Sequence, residues 1–188
     1  MPLSHTPIVE SQTPALAWQA LWPDETATQA FATQLAAHLQ HWPGGRDASI
    51  ALRGDLGAGK TTFVRHLLRA AGVQGRIKSP TYAVVEPHQA VSGEAVWPIW
   101  HFDFYRFNDP REWEDAGFRD IFAGPGLKLM EWPDKVAGQL PAADWEIELS
   151  ALDEHQRQVR IAAHTPRGLA WLAAWQSACA TRETSRAR

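Results

Sequence analysis

The eight residues 54–61, Gly-Asp-Leu-Gly-Ala-Gly-Lys-Thr, constrain the fold of this chain more than any other feature. They match G-x-x-x-x-G-K-[ST] in full, a pattern that forms a phosphate-binding loop when it lies between a β-strand and an α-helix. Both flanks meet this condition, because residues 49–53 resemble a short strand and residues 61–71 carry apolar residues at helical spacing before Gly72. The sequence therefore predicts a strand, a glycine-rich loop and a helix that together bind a polyphosphate.

Each part of this loop has a predicted role in nucleotide binding. The glycines let the backbone wrap closely, with its N–H groups directed at phosphate oxygens beside the positive end of the following helix. Lys60 adds a positive charge at the β- and γ-phosphates, Thr61 offers a hydroxyl to Mg²⁺, and Thr62 can hydrogen-bond the α-phosphate. The residues predicted to bind the nucleotide here are Gly54, Leu56, Gly57, Ala58, Gly59, Lys60, Thr61 and Thr62.

Strand and helix patterns alternate along the rest of the chain. A helix is predicted after Asp24, which can cap its first turn. The other predicted elements are strands at 81–86, 99–105 and 126–131, a loop at 87–95, a short helix at 111–116, a hairpin of 145–152 with 158–163, and a closing helix at 167–180. This order predicts an α/β fold of the three-layer P-loop NTPase kind, whose central sheet is mixed but mainly parallel.

A single domain is expected over residues 21–180, since 188 residues with 45% hydrophobic content suffice for one core. Residues 1–20 hold three prolines and no sustained periodicity, which predicts a flexible and dispensable N-terminal extension. Residues 181–188 are polar and are predicted to form a flexible tail.

Charge and composition narrow the classes of partner and compartment. A net charge of −3 gives no reason to expect independent binding to a nucleic-acid backbone, so any RNA contact is expected through a partner protein. The single cysteine, Cys179, cannot form an intramolecular disulfide, which favours the reducing cytoplasm. No secretory start and no apolar run of membrane-spanning length is present, so no membrane association is expected.

Two carboxylates are candidates for metal binding and for positioning the attacking water. Glu131 ends the apolar run 127–130, where the carboxyl edge of a core strand would lie, and ligands bind at that edge in open α/β sheets. Asp103 lies inside the aromatic run 101–105, and burial of its charge requires a cation or hydrogen-bond donors. A surface or ion-paired carboxylate is the alternative for each, and the pattern alone favours neither.

Two further segments leave alternatives open. His101 alternates with Asp103 on one strand face, but a structural histidine is favoured over a His–Asp metal pair because no second histidine completes a ligand set. Ser79 and Thr81, followed by Tyr82, either form a turn before a strand or act as a switch segment whose hydroxyls reach the γ-phosphate or the metal.

The base of the nucleotide is predicted from an absent motif. No lysine of this chain lies in an N-K-x-D or T-K-x-D segment of the kind that reads guanine, and no D-x-x-G switch is present. Adenine is therefore favoured, and ATP is the expected nucleotide.

Four sequence blocks, taken together and in order, resemble the TsaE family, small bacterial ATPases required for threonylcarbamoylation of the adenosine beside the tRNA anticodon. The blocks are GDLGAGKTTF at 54–63, SPTY at 79–82, HFDFYR at 101–106 and EWPD at 131–134, and WPDE at 22–25 resembles the start of the family's domain. The resemblance covers about residues 21–175. Phe104 stands where leucine is commoner, and residues 87–98 have no clear counterpart in the family.

The resemblance implies an ATP hydrolase that works with Mg²⁺ beside a TsaB–TsaD-like heterodimer and meets tRNA only through that complex. It implies that Lys60, Asp103 and Glu131 are catalytic and that Thr61, Asp103 and Glu131 serve the metal. It also implies that Ser79, Thr81, Tyr82 and Trp132 form the switch, and that Glu25 and Arg157 lie near the adenine.

Two other functions use the same loop. A small-molecule or nucleotide kinase also holds its donor with G-x-x-x-x-G-K-T, but the sequence shows neither an Arg-rich lid nor a second substrate pocket. A nucleotide-sensing module without hydrolysis is disfavoured by the presence of Asp103 and Glu131.

Overall fold

The computed structural model of the protein describes residues 17–93, 95–109, 112–113 and 116–186. Within these ranges there are seven strands: β1 (Ala17–Trp22), β2 (Ser49–Arg53), β3 (Val85–Ser92), β4 (Ala95–Asp103), β5 (Leu127–Glu131), β6 (Trp145–Ala151) and β7 (Arg157–Ala163). The α-helices are α1 (Glu25–His41), α2 (Lys60–Ala70), α3 (Phe118–Ala123) and α4 (Pro166–Arg186), and short 3-10 helices span Gly45–Asp47 and Pro133–Val136.

The strands form one sheet in the order β1-β7-β6-β2-β5-β4-β3. Its centre is parallel, because β2 pairs with both β5 and β6 in parallel and β5 pairs with β4 in parallel. Its flanks are antiparallel, through the β3–β4 and β6–β7 hairpins and the pairing of β1 with β7. The predicted α/β fold with a mixed sheet is confirmed, and the parallel pairing is confined to the centre of the sheet.

The first face of the sheet carries the main core. Asp24 caps α1 through a 2.8 Å hydrogen bond from the Ala27 amide, as the sequence predicts, and Phe31 and Leu35 of that helix are buried. Helices α1, α2 and α4 all contribute buried side chains to this cluster, together with the inward residues of the central strands. This layer fixes where α2 begins, and hence where the glycine-rich loop lies.

The second face carries a smaller, aromatic core. This core contains Phe102 of β4, Phe104 just after β4, and Met130 of β5, which pack with Trp113 and Phe118. Over β6 and β7 the same face is open to solvent, as shown by the following exposed residues: Glu148, Ser150 and Gln158. The second layer therefore covers only part of the sheet.

The N-terminal boundary differs from the prediction. The extension was expected to run through residue 20, but residues 17–20 belong to β1, which pairs with β7 along its whole length. Trp18 stacks on Phe31 with ring centroids 5.7 Å apart and meets Trp175 at 6.0 Å. The prediction of a flexible extension is therefore wrong for residues 17–20, while residues 1–16 lie outside the described part of the chain.

The region before β5 also differs. The loop predicted at 87–95 is instead most of a hairpin, because β3 and β4 pair from Val85–Phe102 to Ser92–Ala95. Pro87 is compatible with β3 because β3 is the edge strand of the sheet, where a missing N–H donor is tolerated. The strand predicted at 81–86 begins only at Val85, after a turn.

Other boundaries agree more closely. The strands at 126–131, 145–152 and 158–163 and the helix at 61–71 are confirmed within one residue at every end. The closing helix continues to Arg186, so the predicted flexible tail is helical up to that residue, and residues 187–188 are outside the described part. Of the helix predicted at 111–116, Glu112 and Trp113 are helical, and residues 111, 114 and 115 are not described.

No helix in the described ranges combines the length and the apolar character needed to cross a bilayer.

Candidate functional site

The glycine-rich loop connects β2 to α2 in a conformation that only glycine adopts without strain. Gly54 has a φ of 130°, and a Cβ at this position would lie 2.2 Å from the carbonyl oxygen of Leu149. Gly59 has a φ of 102° and immediately precedes the first residue of α2. The predicted strand, loop and helix are confirmed, and the N–H groups at the start of α2 are free of intrahelical partners by geometry.

Lys60 is the first residue of α2 and is only 4% exposed. Its Nζ donates hydrogen bonds to the carbonyl oxygens of Gly54 at 2.7 Å and Asp55 at 2.9 Å, and lies 3.9 Å from the centre of the Trp132 ring. Burial lowers the pKa of Lys60, and nearby carboxylates, Glu131 foremost, oppose that shift without cancelling it. The ammonium group thus lies within the loop that a polyphosphate would enter.

Glu131 and Asp103 lie side by side at the carboxyl ends of β5 and β4, where they are register partners. Both are buried, at 2% and 3% exposure. Carboxyl ends of parallel strands form the ligand-binding edge of an open α/β sheet, and the loop after β2 opens at this same edge. The structure therefore brings both carboxylates to Lys60 and Thr61.

The two oxygens of Glu131 have different partners. The hydroxyl of Thr61 donates to Oε2 at 2.9 Å, whereas Nε2 of His101 lies 2.8 Å from Oε1. His101 is fully buried, and its contact with Glu131 links the adjacent strands β4 and β5. The sequence did not predict this link. Within the described ranges, no group of three or more His, Cys, Asp or Glu side chains could hold a metal ion.

Asp103 is held by the segment predicted to act as a switch. Thr81 donates its hydroxyl to Oδ2 of Asp103 at 2.5 Å and lies 2.9 Å from the hydroxyl of Ser79. The Tyr105 amide donates to Oδ1 of Asp103 at 3.0 Å. Tyr82, in contrast, is 85% exposed, so the segment places Thr81 at the site and Tyr82 on the surface.

Backbone strain borders the site on two sides. Among residues that the structure describes, two non-glycine residues have positive φ: Val84 at 65° and Trp132 at 59°. Val84 follows the 79–82 segment, and Trp132 follows Glu131. Such conformations are uncommon, especially for a β-branched residue, and cluster at binding and switch sites. The strain supports a functional rather than a packing role for both segments.

A cavity of about 270 Å³, here called the loop cavity, lies between the glycine-rich loop and the strand ends. Its walls combine the loop, the carboxylates and two aromatic rings, and Tyr105 and Trp132 are 5.1 Å apart. The lining residues are Leu56, Gly57, Gly59, Lys60, Thr61, Thr62, Thr81, Asp103, Tyr105, Glu131 and Trp132. Of these, the sequence did not predict Tyr105; its position two residues after Asp103 was the available signal.

A second cavity of about 160 Å³, here called the lateral cavity, shares Gly59 and Thr62 with the first. Glu25 and Arg157 both line it, as the family resemblance implies for the residues near the base. Trp22 also lines it, which the sequence did not predict. The two cavities are therefore adjacent, and the lateral cavity extends from the glycine-rich loop to the start of α1.

Arg157 fixes the wall of the lateral cavity. Its Nε donates to the Ala58 carbonyl at 3.0 Å, and its Nη1 donates to the carbonyl oxygens of Asp153, Glu154 and Gln156. The carboxylate of Asp153 in turn accepts from two amides of the same turn, and these backbone bonds lower its pKa. Arg157 therefore ties the 153–157 turn to the glycine-rich loop.

The donor set suits a hard divalent cation. Thr61, Glu131 and Asp103 present a hydroxyl and two carboxylates at one cavity. Mg²⁺ prefers oxygen ligands and is commonly held by one or two carboxylates together with water and substrate phosphates. The residues present fit a Mg²⁺ ion bound jointly with a polyphosphate.

Comparisons with known proteins agree with this geometry. A chain of Bacillus subtilis YdiB in a crystal structure superposes with a TM-score of 0.65 and 27% identity, covering 87% of this chain and 95% of that chain. The Haemophilus influenzae protein called tRNA threonylcarbamoyladenosine biosynthesis protein TsaE is 39% identical over 146 residues, which is 78% of this chain and 89% of that protein.

The protein of the same name from Bacillus subtilis is 33% identical, over 79% of this chain and 85% of its own length. The family described as threonylcarbamoyl adenosine biosynthesis protein TsaE matches residues 22–159, which include the loop, both carboxylates and Arg157. This chain therefore belongs to the TsaE family.

Proposed function

We propose that this protein is an ATPase that binds ATP with Mg²⁺ and hydrolyses it in support of threonylcarbamoylation of adenosine in tRNA. One observation carries the proposal: Lys60 and Thr61 at the start of α2 meet two buried carboxylates, Glu131 and Asp103, at a single cavity. A loop that only binds phosphate does not need buried carboxylates there, whereas hydrolysis requires groups that position a metal and a water molecule.

The proposed nucleotide position follows the two cavities. Phosphates in the loop cavity would accept from the loop amides and the N-terminus of α2, and would take the place of the carbonyl oxygens that Lys60 now contacts. The adenine would lie in the lateral cavity between Glu25 and Arg157. The shared lining residues, Gly59 and Thr62, would then lie against the middle of the nucleotide.

The proposed Mg²⁺ site uses the same residues. Thr61 and Glu131 would hold the ion, and Asp103 would act on it directly or through its water shell. The ion would supply charge neutralisation between the β- and γ-phosphates. Glu131 and Asp103 would then orient the attacking water molecule and accept its proton at the γ-phosphate end of the cavity.

The proposed partner is a TsaB–TsaD-like heterodimer, with tRNA contacted only through the complex and the cytoplasm as the compartment. Two exposed apolar side chains support a docking surface: Leu56, which lines the loop cavity and is 75% exposed, and Tyr82, which follows the cavity residue Thr81 and is 85% exposed. The Arg106 guanidinium lies over the Tyr82 ring at 4.3 Å, so a partner that moves Tyr82 would also move Arg106. A cation delivered in this way would assist hydrolysis.

The test is phosphate release from ATP by the purified chain, with and without the TsaB–TsaD pair. We expect slow release alone and an increase of up to about 10³-fold with the pair, which is the low end of the gain from an added arginine. Candidate small-molecule and nucleotide acceptors are added in parallel. Phosphate appearing on an acceptor instead of in solution would identify a kinase, and equal rates with and without the pair would refute the coupling.

A further inference from the structure

We propose that His101 is a positioning residue that sets the direction of the Glu131 carboxylate. Its imidazole holds Oε1 from inside the sheet and leaves Oε2 directed toward Thr61 and the loop cavity. The inference rests on the proposed function, in which Glu131 acts on the metal and water. It adds a residue to that function that does not itself line the loop cavity.

The geometry defines which nitrogen carries the proton. An ionised carboxylate only accepts hydrogen bonds, so a 2.8 Å contact between Nε2 of His101 and Oε1 of Glu131 requires an Nε2–H donor. Nδ1 is buried and has no hydrogen-bond partner within the described part of the chain. A proton on Nδ1 would add a buried donor without an acceptor, which is costly, so the neutral Nε2–H tautomer fits the site.

A packing role alone does not account for this arrangement. His101 is fully buried on β4, and an apolar side chain of similar size would fill the space without an unpaired nitrogen. The hydrogen bond from its ring in the described structure goes to Glu131. Each oxygen of the Glu131 carboxylate thus has its own partner. Oε1 contacts His101 on the neighbouring strand β4, and Oε2 contacts Thr61 on α2.

The two carboxylates of the site are positioned by different kinds of partner. Asp103 is held by Thr81 and by the Tyr105 amide, which belong to turns at the surface of the site. Glu131 is held on one side by a fully buried side chain. A movement of the 79–82 segment would therefore redirect Asp103 while His101 keeps Glu131 in place.

Three substitutions separate positioning from packing. In His101→Gln the side-chain amide nitrogen reaches about as far as Nε2, so it can still donate to Glu131, whereas in His101→Asn it reaches only about as far as Nδ1. His101→Leu removes both nitrogens. We expect the Leu and Asn variants to lose about 10–100-fold in ATP turnover with the TsaB–TsaD pair, as for other residues that orient ligands. We expect the Gln variant to remain within about threefold of the wild type, with the KM for ATP unchanged in all three.

Thermal unfolding of each variant controls for folding, and if the Leu variant does not fold, the Gln and Asn variants alone decide the question. Equal turnover of the Gln and Asn variants would overturn the proposal. So would wild-type turnover in the Leu variant. A wild type without ATPase activity in the presence of the pair would refute the proposed function instead.

A second measurement does not depend on activity. The ¹⁵N signals of the His101 ring, identified by their absence in the His101→Gln spectrum, should show a protonated Nε2 and a bare Nδ1. Glu131→Gln should shift the Nε2 signal more than the Nδ1 signal, because only Nε2 contacts residue 131. A protonated Nδ1 with a bare Nε2 would overturn the assignment even if the protein hydrolyses ATP.

Discussion

Buried carboxylates lie at both ends of the central strand β2, two at one end and one at the other. Glu131 and Asp103 lie at the carboxyl end, beside the glycine-rich loop. Asp144 lies at the amino end, where it contacts Ser49, the first residue of the strand. All three are 2–3% exposed, so burial alone does not distinguish them.

Their partners do distinguish them. Asp144 accepts five hydrogen bonds, two of them from the Arg167 guanidinium and the others from Ser49 and Thr165. Within the described part of the chain, the carboxylates of Glu131 and Asp103 each have two hydrogen-bond partners, and none of these four partners is a Lys or an Arg. A carboxylate has about four lone-pair sites, so Asp144 is saturated while the other two keep capacity for a ligand.

The partners of a buried carboxylate distinguish a structural role from a functional one. Burial pushes the pKa of Asp144 upward, but hydrogen bonds from Arg167, Thr165 and the Ser49 amide outweigh this effect, and the pKa lies below its ordinary value. Asp144 thereby joins β2, β6 and the start of α4. Glu131 and Asp103 instead face a cavity that also contains Lys60. A buried carboxylate whose lone pairs are all hydrogen-bonded indicates a structural link. A buried carboxylate that keeps free lone pairs beside a cavity indicates a ligand site.

The largest expected effect is on turnover at the carboxyl end. If the proposed function is right, Glu131→Gln should reduce phosphate release in the TsaB–TsaD complex by about 10³-fold, because it removes the charge that would act on metal and water. The Kd for ATP should change less than about threefold, since amides and Lys60 would still hold the phosphates. Asp103→Asn should act in the same direction. Single-turnover phosphate release and calorimetric titration measure the two quantities.

Glu148→Gln, an exposed carboxylate on β6, is the matched control and should leave both quantities unchanged. Wild-type turnover in Glu131→Gln would show that the carboxylates at the carboxyl end of β2 do not take part in hydrolysis.

At the amino end the expected effect is on stability. Asp144→Asn should lower the free energy of unfolding by about 3 kcal/mol at pH 7, as for a broken buried ion pair, without changing the Kd for ATP. Because the native pKa of Asp144 is depressed, its contribution is complete above the ordinary pKa of about 3.9 and is lost as pH falls through the lower native value. Urea unfolding at several pH values measures this dependence.

The exposed pair of Arg53 with Asp134 provides the control, and Asp134→Asn should change stability by less than about 1 kcal/mol. A difference between Asp144→Asn and the wild type that stays constant from pH 7 to pH 3 would contradict the assignment of Asp144 as a charge-saturated link.

A smaller effect is expected for affinity. Lys60→Ala should weaken ATP binding by about 2 kcal/mol, or about 30-fold, because a charge-assisted contact to phosphate is lost. Inorganic triphosphate should lose about as much as ATP, since Lys60 lies in the loop cavity and not in the lateral one. An unchanged affinity of Lys60→Ala for ATP in titration calorimetry would show that the glycine-rich loop does not bind the phosphates.

The smallest expected effect separates the lateral cavity from the loop cavity. Arg157→Ala should weaken ATP binding by about 1 kcal/mol, since the 153–157 turn loses its hold on Ala58. Binding of inorganic triphosphate should not change. Arg160→Ala on the same strand is the control. Equal losses for ATP and triphosphate would place Arg157 with the phosphates instead of the base.

The carboxyl end could be predicted because its parts are local. The loop at 54–61 and the position of Glu131 at the end of a strand are visible in short stretches of sequence. Contacts that join distant segments were not visible. The bond between His101 and Glu131 depends on the pairing of β4 with β5, and the Asp144 cluster joins residues 49, 144 and 167.

The flanks of the sheet escaped prediction for physical reasons of their own. Strand β1 alternates Trp18, Ala20 and Trp22 toward the core, but it has only six residues and its pairing partner lies near the other end of the chain. Proline and glycine in β3 and its turn resemble a loop, although an edge strand accommodates Pro87 and a hairpin turn accommodates Gly93.

The pairing of β1 with β7 also has a consequence for the order of folding during synthesis. β1 leaves the ribosome before nearly all of the domain, yet it has no strand to join until β7 has been made. Non-local pairing of this kind forms late because a long chain closure must precede it. Trp22, at the end of β1, lines the lateral cavity. Pulsed hydrogen exchange should therefore show β1 amides gaining protection after those of α2, and a newly made chain should bind triphosphate before it distinguishes the base.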